Sequence, residues 1–208
     1  MQKHYEAYWD RDNPPPLDDP LAGKRAEIFW GLVSQLPSRP TSFLDAGCGS
    51  GWLAASATER GLDAVGMDIA GNAISIAQRQ YPGTRYLEHS LEEIPWPLEP
   101  ASIDVVTSFE VIEHLLEPEL LVKGMQEVLR PGGYAAITTP YHGRLKNVAI
   151  SLINFDHHFN VVGDHIRFFS DKSLASLLQS HGFSVEKFVH FGRVPGLWAG
   201  TFVWARKK

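Results

Sequence analysis

The chain has 208 residues, a formal charge of −5, and 44% hydrophobic against 21% charged residues, enough for one sizeable core and too apolar for wholesale disorder. A pI near 6.0 argues against the broad basic footprint of a nucleic-acid binder, and a single cysteine, Cys48, excludes an internal disulfide. The opening residues MQKHYEAYWDRDN lack the apolar centre of a secretory signal, and no run approaches the roughly 20 apolar residues of a membrane span, so a cytoplasmic protein is expected.

Pro14-Pro15-Pro16 reads as a stiff surface turn, followed by a helix over about 21–36 that places Ile28, Phe29, Leu32, Val33 and Leu36 at helical spacing. Strand and helix signals then alternate. TSFLDA (41–46) reads as a strand and 51–60 as a helix, LDAVGMD (62–68) as a strand and 71–80 as a helix. A weaker strand over 84–88 and SIDVVTSF (102–109) follow, then a helix over about 118–129 closed by Arg130-Pro131-Gly132-Gly133, and a strand over 134–140. This alternation implies right-handed βαβ crossovers and a mostly parallel sheet covered on both faces. Residues 141–169 form an aromatic, histidine-rich stretch of unclear periodicity, the best candidate for an acceptor-site lid. Ser170 can cap a helix over 171–180, and two strands at 183–191 and 200–206 are close enough in sequence to pair antiparallel. The chain is expected to divide into a helical cap (1–40), a cofactor core (41–140), the lid (141–169) and a C-terminal helix and strand pair (170–208), all in one domain.

The sharpest motif is LDAGCGSGW (44–52), between a predicted strand and helix. Gly47, Gly49 and Gly51 permit a tight turn and close approach of a ligand, and the next helix offers unpaired N–H groups. A dinucleotide fingerprint would place its third glycine one residue later. Asp45 at the strand end would repel a pyrophosphate, whereas it suits a ligand carrying an amine and a sulfonium. Asp68 ends the second strand, where a carboxylate can accept both hydroxyls of a ribose.

This acid–glycine loop–acid pattern resembles motifs I and II of the class I S-adenosylmethionine-dependent methyltransferases, in particular the ubiquinone-pathway O-methyltransferase-like group. The resemblance implies a Rossmann-like, doubly wound seven-stranded sheet with an antiparallel C-terminal pair, and S-adenosylmethionine as cofactor. HSLEEIPWPLEPASIDVV (89–106) is similar to the family's adenine-contact segment, with Ser90 where an Asp is common, and Ile69 and Leu91 placed to sandwich the adenine. Cys48, Trp52, Phe109 and Glu110 complete the implied cofactor contacts.

FEVIEHL (109–115) follows the fourth strand on the carboxyl edge of the sheet. Read as a helical turn, it puts Glu110, Glu113 and His114 on one face. Related enzymes that carry E-x-x-E-H bind a divalent metal there, so Glu110, Glu113, His114 and His165 form a candidate Mg²⁺ site. The alternative is that the segment lines the methionine pocket, with His114 a general base or a structural histidine. His114 and His165 are the leading catalytic candidates, ahead of His142, His157 and His158.

Tyr8, Trp9, Tyr141, Phe155, Phe159, Phe168 and Phe169 are candidates to frame an apolar acceptor. RLKNVAISLINF (144–155) reads either as an interfacial helix or as a lid packed on the sheet. The expected partner is a small-molecule or lipid-linked acceptor, with peripheral membrane contact and without nucleic acid. A small-RNA terminal 2′-O-methyltransferase, an NAD-binding oxidoreductase and a non-catalytic cofactor-binding module are the competing readings.

Overall fold

The computed structural model describes residues 2–9, 19–153, 155 and 165–208. The expected turn at Pro14–Pro16, together with His157, His158 and Phe159, lies outside these residues. The described helices are α1 (Gln2–Tyr8), α2 (Ala22–Val33), α3 (Trp52–Glu59), α4 (Gly71–Gln80), α5 (Pro118–Val128), α6 (Arg144–Ile153) and α7 (Asp171–Ser180). The strands are β1 (Ser42–Ala46), β2 (Asp63–Asp68), β3 (Arg85–Glu88), β4 (Ile103–Phe109), β5 (Leu129–Pro140), β6 (Phe183–Phe191) and β7 (Gly200–Lys207).

They build one seven-stranded sheet in the order β3-β2-β1-β4-β5-β7-β6, parallel from β3 through β5. β7 inserts antiparallel between β5 and β6. Side chains alternate across the pleat as a period of two requires. On one face Leu44, Val106, Ile137 and Val203 meet Leu121 and Met125 of α5 and Leu174 of α7. On the other, Phe43, Val105, Ala136 and Phe202 meet Phe29 of α2, Leu53 of α3 and Ile74 of α4. Both faces are therefore covered, and β1 is buried along its whole length.

One local detail differs from the sequence expectation, and a second bears on a choice the sequence left open. The Arg130–Gly133 turn is absorbed into β5: Leu129 already pairs with Ile103 and Tyr134 with Val105, so residues 130–133 bulge opposite Asp104. Gly132, at φ +80°, supplies the reversal, and the Arg130–Asp104 ion pair at 2.8 Å holds the bulge to the neighbouring strand. The segment 144–155 is helical over Arg144–Ile153, but it is not packed down by its apolar residues, which face outward. The expected cap on α7 is present as a reciprocal capping box, in which the Ser173 N–H donates to Ser170 Oγ and the Ser170 N–H to Ser173 Oγ.

Helix α5 shows how packing positions the site. Gly124 lies where a Cβ would come within 2.2 Å of the Trp96 indole, whose Nε1–H reaches the Leu91 carbonyl at 3.4 Å. The missing side chain on α5 thus makes room for the ring that pins the loop carrying Ser90 and Leu91. An alanine in mid-helix ordinarily gains about 1 kcal/mol over glycine. Here Gly124→Ala is expected instead to destabilise by about 1–3 kcal/mol through overpacking, read as a lower urea midpoint. A higher midpoint would refute this account of the contact.

Candidate active site

The carboxyl ends of β1, β2 and β4 converge on the glycine loop. Gly47, at φ +84°, donates its N–H to the Met67 carbonyl at 2.7 Å, folding the loop back over β2. Gly51 enters α3 at φ +80°, and a Cβ there would stand 2.7 Å from that of Ala77. The Gly49 N–H donates to the Asp68 carboxylate at 2.9 Å, and the Ala70 N–H to its other oxygen at 3.0 Å. Asp68 is therefore oriented by the loop it faces.

Asp45 is buried in the middle of the sheet and accepts a hydrogen bond from the Thr107 hydroxyl at 2.7 Å. Burial pushes its carboxyl up to about 7, against the pull of that hydroxyl, and the Asp68 charge pushes in the same direction. Burial also raises Asp68, and it raises the Cys48 thiol well above its usual range, which leaves a protonated, inert thiol. Ile69 is half-buried beside Asp68. Ser90 Oγ accepts the Glu92 N–H at 3.2 Å, while Leu91 sits in the core. Trp52 and Phe109 also pack against the core, the Phe109 ring 5.7 Å from Phe202.

The segment after β4 departs from the expected helical turn. Glu110 stays in register with β5, its N–H donating to the Thr138 carbonyl at 3.1 Å, and takes φ +55°. Only Ile112–His114 is helical, as a single 3₁₀ turn. Glu110, Glu113 and His114 therefore do not share one helical face. Glu113 and His114 instead meet His165: each offers a ligand atom, and these atoms lie within 4.8 Å of one another. The N–H groups of Ile166 and Arg167 both donate to the Glu113 carbonyl at 3.0 Å, which docks His165 beside His114 with ring centroids 4.9 Å apart. The Glu113 side chain is fully buried, neither carboxyl oxygen has a hydrogen-bond partner, and burial raises it well above the ordinary carboxylate range, with Glu110 adding to the rise.

Glu110 instead faces Arg25 of α2, 4.0 Å away. Arg25 is 6% exposed, pairs with Asp19 and keeps an unbonded Nε. Sequence reasoning passed over it, although it stands four residues before Phe29 on the apolar stripe of α2, where an arginine is out of place. Nor did the sequence show that α1 reaches the loop. Glu6 accepts the Gly71 and Asn72 N–H groups at 2.8 and 3.0 Å, and Trp9 lies 2.8 Å from where a Gly49 Cβ would be. Of the proposed acceptor aromatics, Tyr8 is largely exposed, Phe168 rests against the buried His142, and Phe169 packs against the core.

Comparison with known proteins supplies the family. A methyltransferase-domain family model matches residues 21–187. A Mycolicibacterium smegmatis protein named as an S-adenosylmethionine-dependent methyltransferase is 31% identical over 190 residues, 85% of this chain and 70% of that protein. The chain belongs to the S-adenosylmethionine-dependent methyltransferases. The ubiquinone biosynthesis O-methyltransferases of Albidiferax ferrireducens and of mouse mitochondria are each 30% identical over 69% and 87% of this chain, which spans only 58% and 52% of their lengths. Magnesium protoporphyrin IX methyltransferase from Synechocystis, solved with bound S-adenosylhomocysteine, superposes with a TM-score of 0.70 at 13% identity, covering 99% of this chain and 95% of that one. The fold of this methyltransferase is thus the Rossmann-like sheet expected from its sequence.

The raised Asp45 carboxyl has a thermodynamic signature in the ligand-free protein. A carboxyl that titrates at about 7 folded and 3.8 unfolded favours folding at low pH, and that contribution is lost as pH rises between about 4 and about 7. Asp45→Asn keeps the Thr107 acceptor but not the charge. Its melting temperature relative to wild type is expected to climb across that window and level off above it in calorimetric scans. A flat difference would show that Asp45 ionises normally.

Proposed function

We propose that this chain transfers the methyl group of S-adenosylmethionine to a hydroxyl of a small or lipid-linked acceptor. The observation that carries the reading is the Glu113–His114–His165 group, in the segment whose Val111 packs against Gly47 of the glycine loop. The sulfonium is already activated, so the protein must bind, align and deprotonate. Of these tasks, deprotonation is needed for a hydroxyl, and an imidazole suits it near neutral pH. Asp68 would take the ribose hydroxyls, the Gly47–Gly51 loop the methionine end, and Asp45 the cationic amine. His114 would receive the acceptor's proton, with His165 beside it. The O-methyltransferase names of the ubiquinone-pathway relatives point the same way.

The same three side chains suit a small divalent cation, because the Glu113 carboxylate is buried with both oxygens unbonded and two imidazoles face it. Bound there, a cation would lower the acceptor hydroxyl's pKa. Glu110 falls outside this donor group. The outward apolar side chains of α6, in a helix with no acidic residue, fit a lipid-linked acceptor approached from a membrane surface. No helix among the described residues is long and apolar enough to cross a membrane.

Three measurements test this reading. Asp68→Ala should weaken S-adenosylhomocysteine binding at least tenfold by calorimetry, because the ribose hydroxyls lose their acceptor. His114→Ala should leave that affinity within about twofold and lower turnover roughly 10²–10⁴-fold, assayed as S-adenosylhomocysteine release from a panel of phenols and lipid extracts. Unimpaired turnover in His114→Ala would remove the histidine from the chemistry. Separately, Mn²⁺ titrated into wild type and Glu113→Gln should bind only the former, and equal binding would dismiss the cation.

A further inference from the structure

Lys146 is buried where a lysine is rarely found. Its helix α6 turns Leu145, Val148, Leu152 and Ile153 to solvent, and the lysine is the helix's one buried side chain, 7% exposed. Lysines are almost never buried unless paired. Among the described residues no carboxylate comes within 4 Å of its Nζ, and the Tyr141 ring centroid lies 5.9 Å away, near the outer limit for a useful cation–π attraction. Burial and the like charge of Arg193 lower Lys146 to about 8, with Glu110 pulling weakly the other way. At neutral pH the ammonium is thus still charged and largely stripped of water. Such an arrangement is costly until an anion completes it.

The location says which anion. Helix α6 starts just after β5 ends, and Tyr141 in that connection packs on His190 of β6 with ring centroids 4.8 Å apart. Lys146 therefore stands over the carboxyl end of β5 and the β6–β7 pair, on the opposite side of β4 from the glycine loop at β1 and β2. His142, whose ring meets Asn147 of α6 at 3.2 Å, packs on Phe168, three residues after His165, so α6 borders the cleft of the Glu113–His114–His165 group. With the cofactor on the glycine loop, this is the side from which an acceptor would come.

We infer that Lys146 seats an oxyanion carried by the methyl acceptor, a carboxylate or phosphate separate from the hydroxyl that receives the methyl. This rests on the methyl-transfer reading above and narrows its substrate class. The acceptor is acidic at one end, and any apolar portion runs out along the exposed face of α6. A neutral acceptor leaves the ammonium unpaired, so the site selects against it.

The test uses small aromatic probes on protein saturated with S-adenosylhomocysteine, followed by ligand-observed NMR. Benzoate and phenyl phosphate should bind at least tenfold tighter than phenol and benzyl alcohol. Lys146→Gln should erase that preference and Lys146→Arg keep most of it. In a second arm, S-adenosylhomocysteine is compared with 5′-methylthioadenosine, which lacks the methionine carboxylate. Lys146→Gln should leave their affinity ratio unchanged, which also shows that the variant is folded. The inference is overturned if wild type shows no preference for the anionic probes, or if Lys146→Gln retains it. It is overturned equally if Lys146→Gln brings S-adenosylhomocysteine down to methylthioadenosine, which would assign the anion to the cofactor. Failure of wild type to bind S-adenosylhomocysteine at all appears before any probe is added, and sinks the methyl-transfer reading itself.

Discussion

Two carboxylates on adjacent parallel strands govern this molecule. Asp45 and Asp68 stand at the ends of β1 and β2, and the backbone between β1 and α3 turns over this edge where side chains would strike Val111, Trp9 and Ala77. The loop meets that constraint with positive φ at Gly47, Gly49 and Gly51, and ties itself to Asp68 through the Gly49 N–H. The result is a concave, negatively biased edge in which one acid is held near its titration point by burial. A pyrophosphate would add charge to this edge, and a sulfonium amine relieves it. Cofactor preference is thus a property of the sheet edge before any ligand contact is counted.

The elements that were legible in the sequence share one feature: their burial is periodic and local. The strands of the parallel core read as short apolar runs because helices cover both faces, and α4 and the α7 cap carry their signals within a few residues. Where the sequence misled, a tertiary partner overrode the local pattern. FEVIEHL looks like a helical turn, but Glu110 is held by Thr138 of β5, a residue far along the chain. The Arg130–Gly133 signal is a genuine reversal that a neighbouring strand converts into a bulge. On α6 the pattern was visible and its polarity was not, since nothing local tells an outward apolar face from an inward one. All three members of the Glu113–His114–His165 group were named from the sequence, two by spacing and His165 by resemblance, but neither the backbone bonds from Ile166 and Arg167 that join them nor the turning of Glu110 towards Arg25 was legible.

The polar interior is unevenly satisfied, and the uneven part is the cleft. Away from it partners are more often found: half-buried Asp104 accepts from Thr41 and Ser42 while pairing with Arg130, with Trp30 Nε1 and Thr201 Oγ1 as exceptions. Around the carboxyl end of β4, the Glu113 oxygens, one Glu110 oxygen and the Arg25 Nε all lack partners. Each such group costs about 1–3 kcal/mol if left unbonded. Their concentration in one place is what a site built for binding looks like, with stability given up for readiness.

The N-terminal helix ties two parts of this edge together. Glu6 accepts the first amides of α4, and Trp9 lies across Gly49, so one short segment touches both the start of α4 and the glycine loop. Displacing α1 would uncover Gly49 and, at the same time, leave the two amides that Glu6 caps without their acceptor. Access to the loop and order in the first turn of α4 are thus coupled through a single carboxylate.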